Sequence, residues 1–95
     1  MFEADDAKAN ANLDKHGLPL DVAQLVFDGP FIEEEDRRND YGETRFVATG
    51  PVAKFGNRIC VVVYTWRGPV RRIISFRKAN DREIGKYQAN NAGGR

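Results

Sequence analysis

Apolar positions along the chain repeat with two different periods, and the change of period divides it. From Asp6 to His16 the spacing is helical. Ala7, Ala9 and Ala11 are strong helix formers, Asp5 or Asp6 can cap the start, and Gly17 stands where a left-handed C-terminal cap is wanted. Lys8, Asn12 and His16 follow at i, i+4 and i+8, with Lys15 beside them, so one face of this helix is polar. A second, shorter helix is expected from Leu20 to Asp28, pairing Val22 with Val26 and Ala23 with Phe27 before Gly29-Pro30 stops it. Glu33 to Asp40, dense in acid with Arg37 and Arg38 embedded, reads as a solvated connector after a short edge strand at Phe31-Ile32.

From Thr44 the period becomes two. Thr44–Thr49 alternates, with Phe46 and Ala48 on one side and Arg45, Val47 and Thr49 on the other. Arg58–Trp66 is almost continuously β-branched or aromatic, the mark of a central strand covered on both faces. Val70–Arg77 follows across a tight turn at Arg67-Gly68, and Pro51 to Asn57 forms the other reversal, so the three strands make an antiparallel meander. A last helix starts near Asn80, which can cap it, with Asp81 favourable to the helix dipole and Glu83 in the third position of a capping box. Ile84, Tyr87 and Gln88 lie on one stripe of it. The expected architecture is α+β: two N-terminal helices and a C-terminal helix on a three- to four-stranded antiparallel sheet, in a single domain over 1–90 with 91–95 as a flexible tail.

Ninety-five residues suffice for one core. No apolar run approaches the roughly 18 residues of a spanning helix, and the acidic opening Met-Phe-Glu-Ala-Asp-Asp is unlike a secretory signal. A cytoplasmic protein with no membrane association is the default expectation. The lone Cys60, inside Ile59-Cys60-Val61-Val62-Val63, is read as buried filler, and one Cys with one His cannot build a zinc site. Neither a Gly-rich phosphate loop, a Gly-x-Ser-x-Gly elbow nor a His-Glu-x-x-His is present. No metal or cofactor is expected.

Charge alters this bland picture. The net charge of +1 divides into −8 over residues 1–43 and +9 over 44–95. Such asymmetry points to a polyanionic partner unless the two halves neutralise each other in the fold. The third strand carries Arg71-Arg72-Ile73-Ile74-Ser75-Phe76-Arg77-Lys78. Regular alternation puts Arg71, Ile73, Ser75 and Arg77 on one face and Val70, Arg72, Ile74 and Phe76 on the other. Guanidinium groups among apolar neighbours need partners. Phosphates and bases would supply them; edge-strand solubilisation is the plainer use. Arg77 also precedes a helix start able to receive anions.

Several of these residues recur together as a pattern. Phe2-Glu3-x-Asp5, then Lys8, Asn12 and Lys15-His16-Gly17, resembles the opening of the BrnT toxin family. Ala23-x-x-Val26-Phe27-Asp28, Arg45 and Gly50 follow in family order, and Arg72-Ile73-Ile74-Ser75-x-Arg77-x-Ala79 with Glu83 and Tyr87 closes it. Ala4 departs from the usual tryptophan, and Phe76 stands where a small residue is common. The resemblance implies a RelE-like fold and a ribonuclease that blocks translation. It also implies neutralisation by a ribbon-helix-helix antitoxin of the BrnA type in a hetero-oligomer, with promoter DNA bound only through that antitoxin.

RNA can be cut without a metal when its 2′-hydroxyl attacks the adjacent phosphorus, given a base, an acid and cations for the phosphoryl oxygens. His16 is the only side chain that ordinarily titrates near neutrality. The candidate catalytic set is His16, Arg72, Arg77 and Glu83, with Lys15, Arg45, Arg71, Lys78 and Tyr87 as RNA contacts. Each has a structural alternative: a helix-end histidine, a capping carboxylate at Glu83, core packing for Tyr87. A binding module without catalysis would use the same arginines, and an adaptor for an acidic protein would explain the charge bias alone.

Overall fold

The computed structural model describes residues 2–4, 20–37 and 42–93. The helix expected over 6–16, with Lys15 and His16, lies outside the described residues.

Five strands form one sheet in the order β1-β5-β4-β3-β2: β1 Phe2–Ala4, β2 Ile32–Asp36, β3 Arg45–Val52, β4 Arg58–Arg67 and β5 Val70–Lys78. Strands β2 to β5 are the expected antiparallel meander, extended by one strand. The fifth, β1, runs parallel to β5, pairing Phe2 with Arg71 and Ala4 with Ile73, so the sheet is mixed. Three residues are too few to show a period, which is why no pattern announced β1.

The acidic connector is corrected too. Ile32–Asp36 is an edge strand, with Ile32 opposite Thr49 and Asp36 opposite Arg45. Its apolar alternation is missing because an edge strand can carry charge on both faces, and acid there discourages pairing with another chain. The β4–β5 turn is Gly68-Pro69, one residue later than expected, since Arg67 pairs with Val70. Gly68 has φ 60° and the ring of Pro69 fixes proline's own φ near −65°, the combination of a type II′ turn.

Leu20–Asp28 (η1) is a 3₁₀ helix. Its buried pair is therefore Ala23 and Val26, three apart, with Val22 and Leu25 half-buried beside them, rather than partners four apart. A one-turn 3₁₀ helix, η2 (Ala53–Phe55), and the left-handed Gly56 and Asn57 reverse the chain between β3 and β4. The C-terminal helix α1 spans Asp81–Gly93, so the flexible tail expected from residue 91 is helical through 93. Asn90 Nδ2 donates to the Lys86 carbonyl at 2.8 Å along it.

The sheet separates two environments. Towards η1, Ala48, Val52, Cys60, Val62, Tyr64, Ile73 and Phe76 meet Ala23 and Val26, all with no exposed surface. Gly50 belongs to this face. A Cβ there would lie 2.7 Å from the Pro30 carbonyl oxygen and 2.9 Å from Phe31 Cβ, so only glycine lets the chain entering β2 cross β3 this closely. Towards α1 the sheet presents Thr49, Val61, Val63 and the charged residues described next. Tyr87 anchors the helix: it is 5% exposed and donates its hydroxyl proton to the Pro30 carbonyl at 3.1 Å.

Candidate active site

The distribution of arginines over β5 rests on one irregularity. Val63 pairs with Ser75 but Tyr64 pairs with Ile73, leaving Ile74 as a bulge. One extra residue shifts the alternation by half a period. Arg71, Ile73 and Phe76 thus face η1, whereas Arg72, Ser75 and Arg77 face α1. Regular alternation had put Arg72 and Arg77 on opposite faces; the bulge unites them and sends Arg71 to the other side. The physical cause is that both Ile73 and Phe76 are drawn into the core, which a period of two cannot satisfy for residues three apart.

On the α1 face, Arg77 is held at the start of the helix. Its Nη1 donates to Glu83 Oε1 at 2.7 Å and its Nη2 to Oε2 at 2.6 Å. Glu83 Oε1 also accepts the Asn80 backbone N–H at 2.9 Å, while Asn80 Oδ1 accepts the Glu83 N–H at 2.9 Å. The capping box read from the sequence is therefore present, and the same carboxylate orients a guanidinium through a two-pronged bond. Both carboxylate oxygens of Glu83 are thereby engaged.

Arg72 lies on the same face five positions earlier, about 16 Å along the strand. It pairs with Thr65, and the β3–β4 register brings Arg45 to the other flank of Thr65. Thr65 is 6% exposed and donates to the Thr44 carbonyl at 2.6 Å. Arg45 in turn bonds Glu43 at 3.1 Å. The cations of this face thus fall into two groups, Arg45 with Arg72 at one end and Arg77 with Glu83 at the other.

Between α1 and β2–β3 runs an open groove of about 520 Å³, lined by Glu34, Asp36, Arg77, Arg82, Glu83 and Lys86 among others. Lys86 Nζ reaches Glu34 across it at 2.6 Å, so the acidic and basic halves of the chain partly neutralise each other here. Among the described residues no three of His, Cys, Asp and Glu gather as metal ligands.

Arg71 occupies a different setting. Its guanidinium carbon sits 3.9 Å from the Phe27 ring centroid, 4.7 Å from Trp66 and 5.4 Å from Tyr64. Its Nε is buried with no hydrogen-bond partner among the described residues. Tyr64 donates its hydroxyl proton to Glu33. Burial, and then this bond, push its phenol up to about 12, with Arg71 pulling the other way. Burial likewise raises the Cys60 thiol, as befits filler, though Arg58 and Lys78 oppose the shift.

Of the remaining candidates, Tyr87 is buried, and Lys78 is exposed at the end of β5 on the η1 side. Trp66 escaped the sequence reading altogether. It ends an apolar run that implied cover on both faces, yet it is 45% exposed, the one exposed large hydrophobic residue among those described.

Arginines over one face of a mixed sheet, beside a capped C-terminal helix, mark this small α+β protein. The chain belongs to the BrnT family, whose profile, described as the ribonuclease toxin, BrnT, of type II toxin–antitoxin systems, matches residues 5–83. It is a ribonuclease toxin of such a system, a class that implies an antitoxin partner. The crystal structure of the Brucella abortus ribonuclease toxin BrnT shares the fold, with a TM-score of 0.62 at 22% identity over 84% of this chain and 96% of that one. No curated protein matches the sequence. No helix among the described residues is long and apolar enough to cross a membrane.

Proposed function

We propose that this chain cleaves RNA without a metal ion, along the α1 face of the sheet, and thereby stops translation in the cytoplasm. The 2′-hydroxyl oxygen bonds to phosphorus as the bond to the 5′-oxygen breaks. Its proton passes to a base, and a second proton reaches the departing oxygen, leaving a 2′,3′-cyclic phosphate and a 5′-hydroxyl. Arg77, fixed by Glu83, stabilises charge on the phosphoryl oxygens, and Arg72 with Arg45 holds a neighbouring phosphate. His16 serves as the acid–base group, with Lys15 as a further contact. A BrnA-type ribbon-helix-helix antitoxin silences the toxin and supplies the contact with promoter DNA, and the fold is related to RelE.

The observation that carries this reading is the Ile74 bulge, which puts Arg72 and Arg77 on one face. No catalytic need for Glu83 as a base follows, since both its oxygens are already bonded. The test is cleavage of a labelled RNA by the purified chain with and without EDTA. Arg77→Ala is expected to lose about 100-fold in rate, comparable to removing one strong electrostatic stabiliser. Chelator is expected to change nothing, and the new 3′ ends should be cyclic phosphates. Full activity in Arg77→Ala would remove that residue from the site.

A further inference from the structure

We infer that Trp66, backed by Arg71, is a stacking platform for a base of the RNA flanking the cleaved bond. The inference rests on the ribonuclease reading above and adds a second contact region on the opposite face of the sheet. An indole costs free energy when left in water, and Trp66 is 45% exposed. Nor is it a loose surface side chain. Arg71 lies over the ring at 4.7 Å, Tyr64 meets it edge-on with centroids 5.8 Å apart at 85°, and Phe27 supports Arg71 from beyond at 3.9 Å. A ring held rigidly in this way loses little conformational freedom when a base settles on it.

The neighbouring register says how RNA would reach it. Trp66 pairs with Arg71 and Thr65 with Arg72, so consecutive pairs of one hairpin carry the aromatic platform on the η1 side and the Arg72 cation on the α1 side. Gly68-Pro69 closes the hairpin two residues beyond Trp66. A single strand bending round this tip can leave a phosphate at Arg72 and, a few nucleotides further on, set a base on Trp66. Exposed aromatics backed by arginine bind bases of any identity through their π faces, so this contact adds affinity with little sequence preference. An aromatic–arginine pair would also suit a protein partner; the Arg72 cation carried by the same hairpin favours RNA.

Trp66 is the chain's only tryptophan, which makes its emission a direct probe. The full-length toxin is titrated with a single-stranded 2′-O-methyl oligoribonucleotide, which it cannot cleave. Stacking should quench Trp66, and Trp66→Ala should weaken binding of the same oligonucleotide about tenfold, the scale of one base–aromatic stack. Trp66→Tyr should recover most of that loss. Unchanged emission at saturating oligonucleotide, or affinity that Trp66→Ala leaves intact, would overturn the inference. So would quenching produced by the antitoxin and not by RNA, which would mark a protein-docking surface. Failure of the catalytic reading is seen separately, as full cleavage by Arg77→Ala.

Discussion

Two arginines on one strand, six residues apart, meet opposite fates. Arg77 projects towards α1, where a carboxylate grips it from two sides and a helix start fixes that carboxylate. Arg71 projects towards η1, where three aromatic rings surround its guanidinium and its Nε has no hydrogen-bond partner among the described residues. The first arrangement pairs the cation with a carboxylate and fixes its position beside the groove. The second uses the cation as a flat, polarisable plate that packs. The same side chain is thus ion-paired on one face and packed among rings on the other, and the two faces should respond differently to mutation.

The largest contrast should come from adjacent residues on opposite faces of β5. Phe76→Ala is expected to cost about 3–5 kcal/mol, because the ring is fully buried in the η1-side core. Ser75→Ala, one residue away but on the α1 side, should stay within about 0.5 kcal/mol. Urea unfolding of both variants measures the difference. Equal costs would mean that Ser75 and Phe76 do not face different environments.

Glu83 sharpens the α1 side. Glu83→Gln can still complete the capping box, so it should cost about 0.5–1 kcal/mol, in keeping with an ion pair that is part-exposed. RNA cleavage should fall tenfold or less through looser placement of Arg77. A loss of roughly 10²–10⁴, typical of removing a general base, would reassign Glu83 to proton transfer.

The smallest effect concerns Tyr64 and pH. Its phenol is raised from 10.0 to about 12 in the folded state, so folding favours the neutral form. That contribution is fully present below about pH 10 and is lost as pH climbs through about 12, where the folded protein must also release the proton. Urea midpoints of the native chain should therefore fall further between about pH 9 and pH 11 than those of Tyr64→Phe. Parallel decline in both would place the alkaline sensitivity elsewhere.

Reading the candidate site from the sequence succeeded where the interaction is local. Asn80 and Glu83 stand three apart at a helix start, and that spacing alone specifies the capping box that the fold contains. It failed where the outcome depended on partners distant in the chain. Arg72 and Arg77 were assigned to opposite faces because alternation was counted on β5 by itself, whereas the bulge arises from fitting Ile73 and Phe76 into a core shared with β4 and η1. The stretch from Glu33 to Asp36 read as a loop beyond a short strand at Phe31-Ile32 because its strand character comes from β3 beside it, not from its own residues.

By itself, the sequence determined the meander of β3, β4 and β5, the final helix with its cap, and the family. All of these follow from residue period, from contacts within a turn, or from an ordered set of motifs. Only the tertiary structure decided which arginine faces which side, how far apart the cations stand, and that Trp66 remains in contact with solvent. Those outcomes depend on how strands register against one another. A one-residue shift, invisible in the composition of any single strand, exchanges the two faces of a sheet.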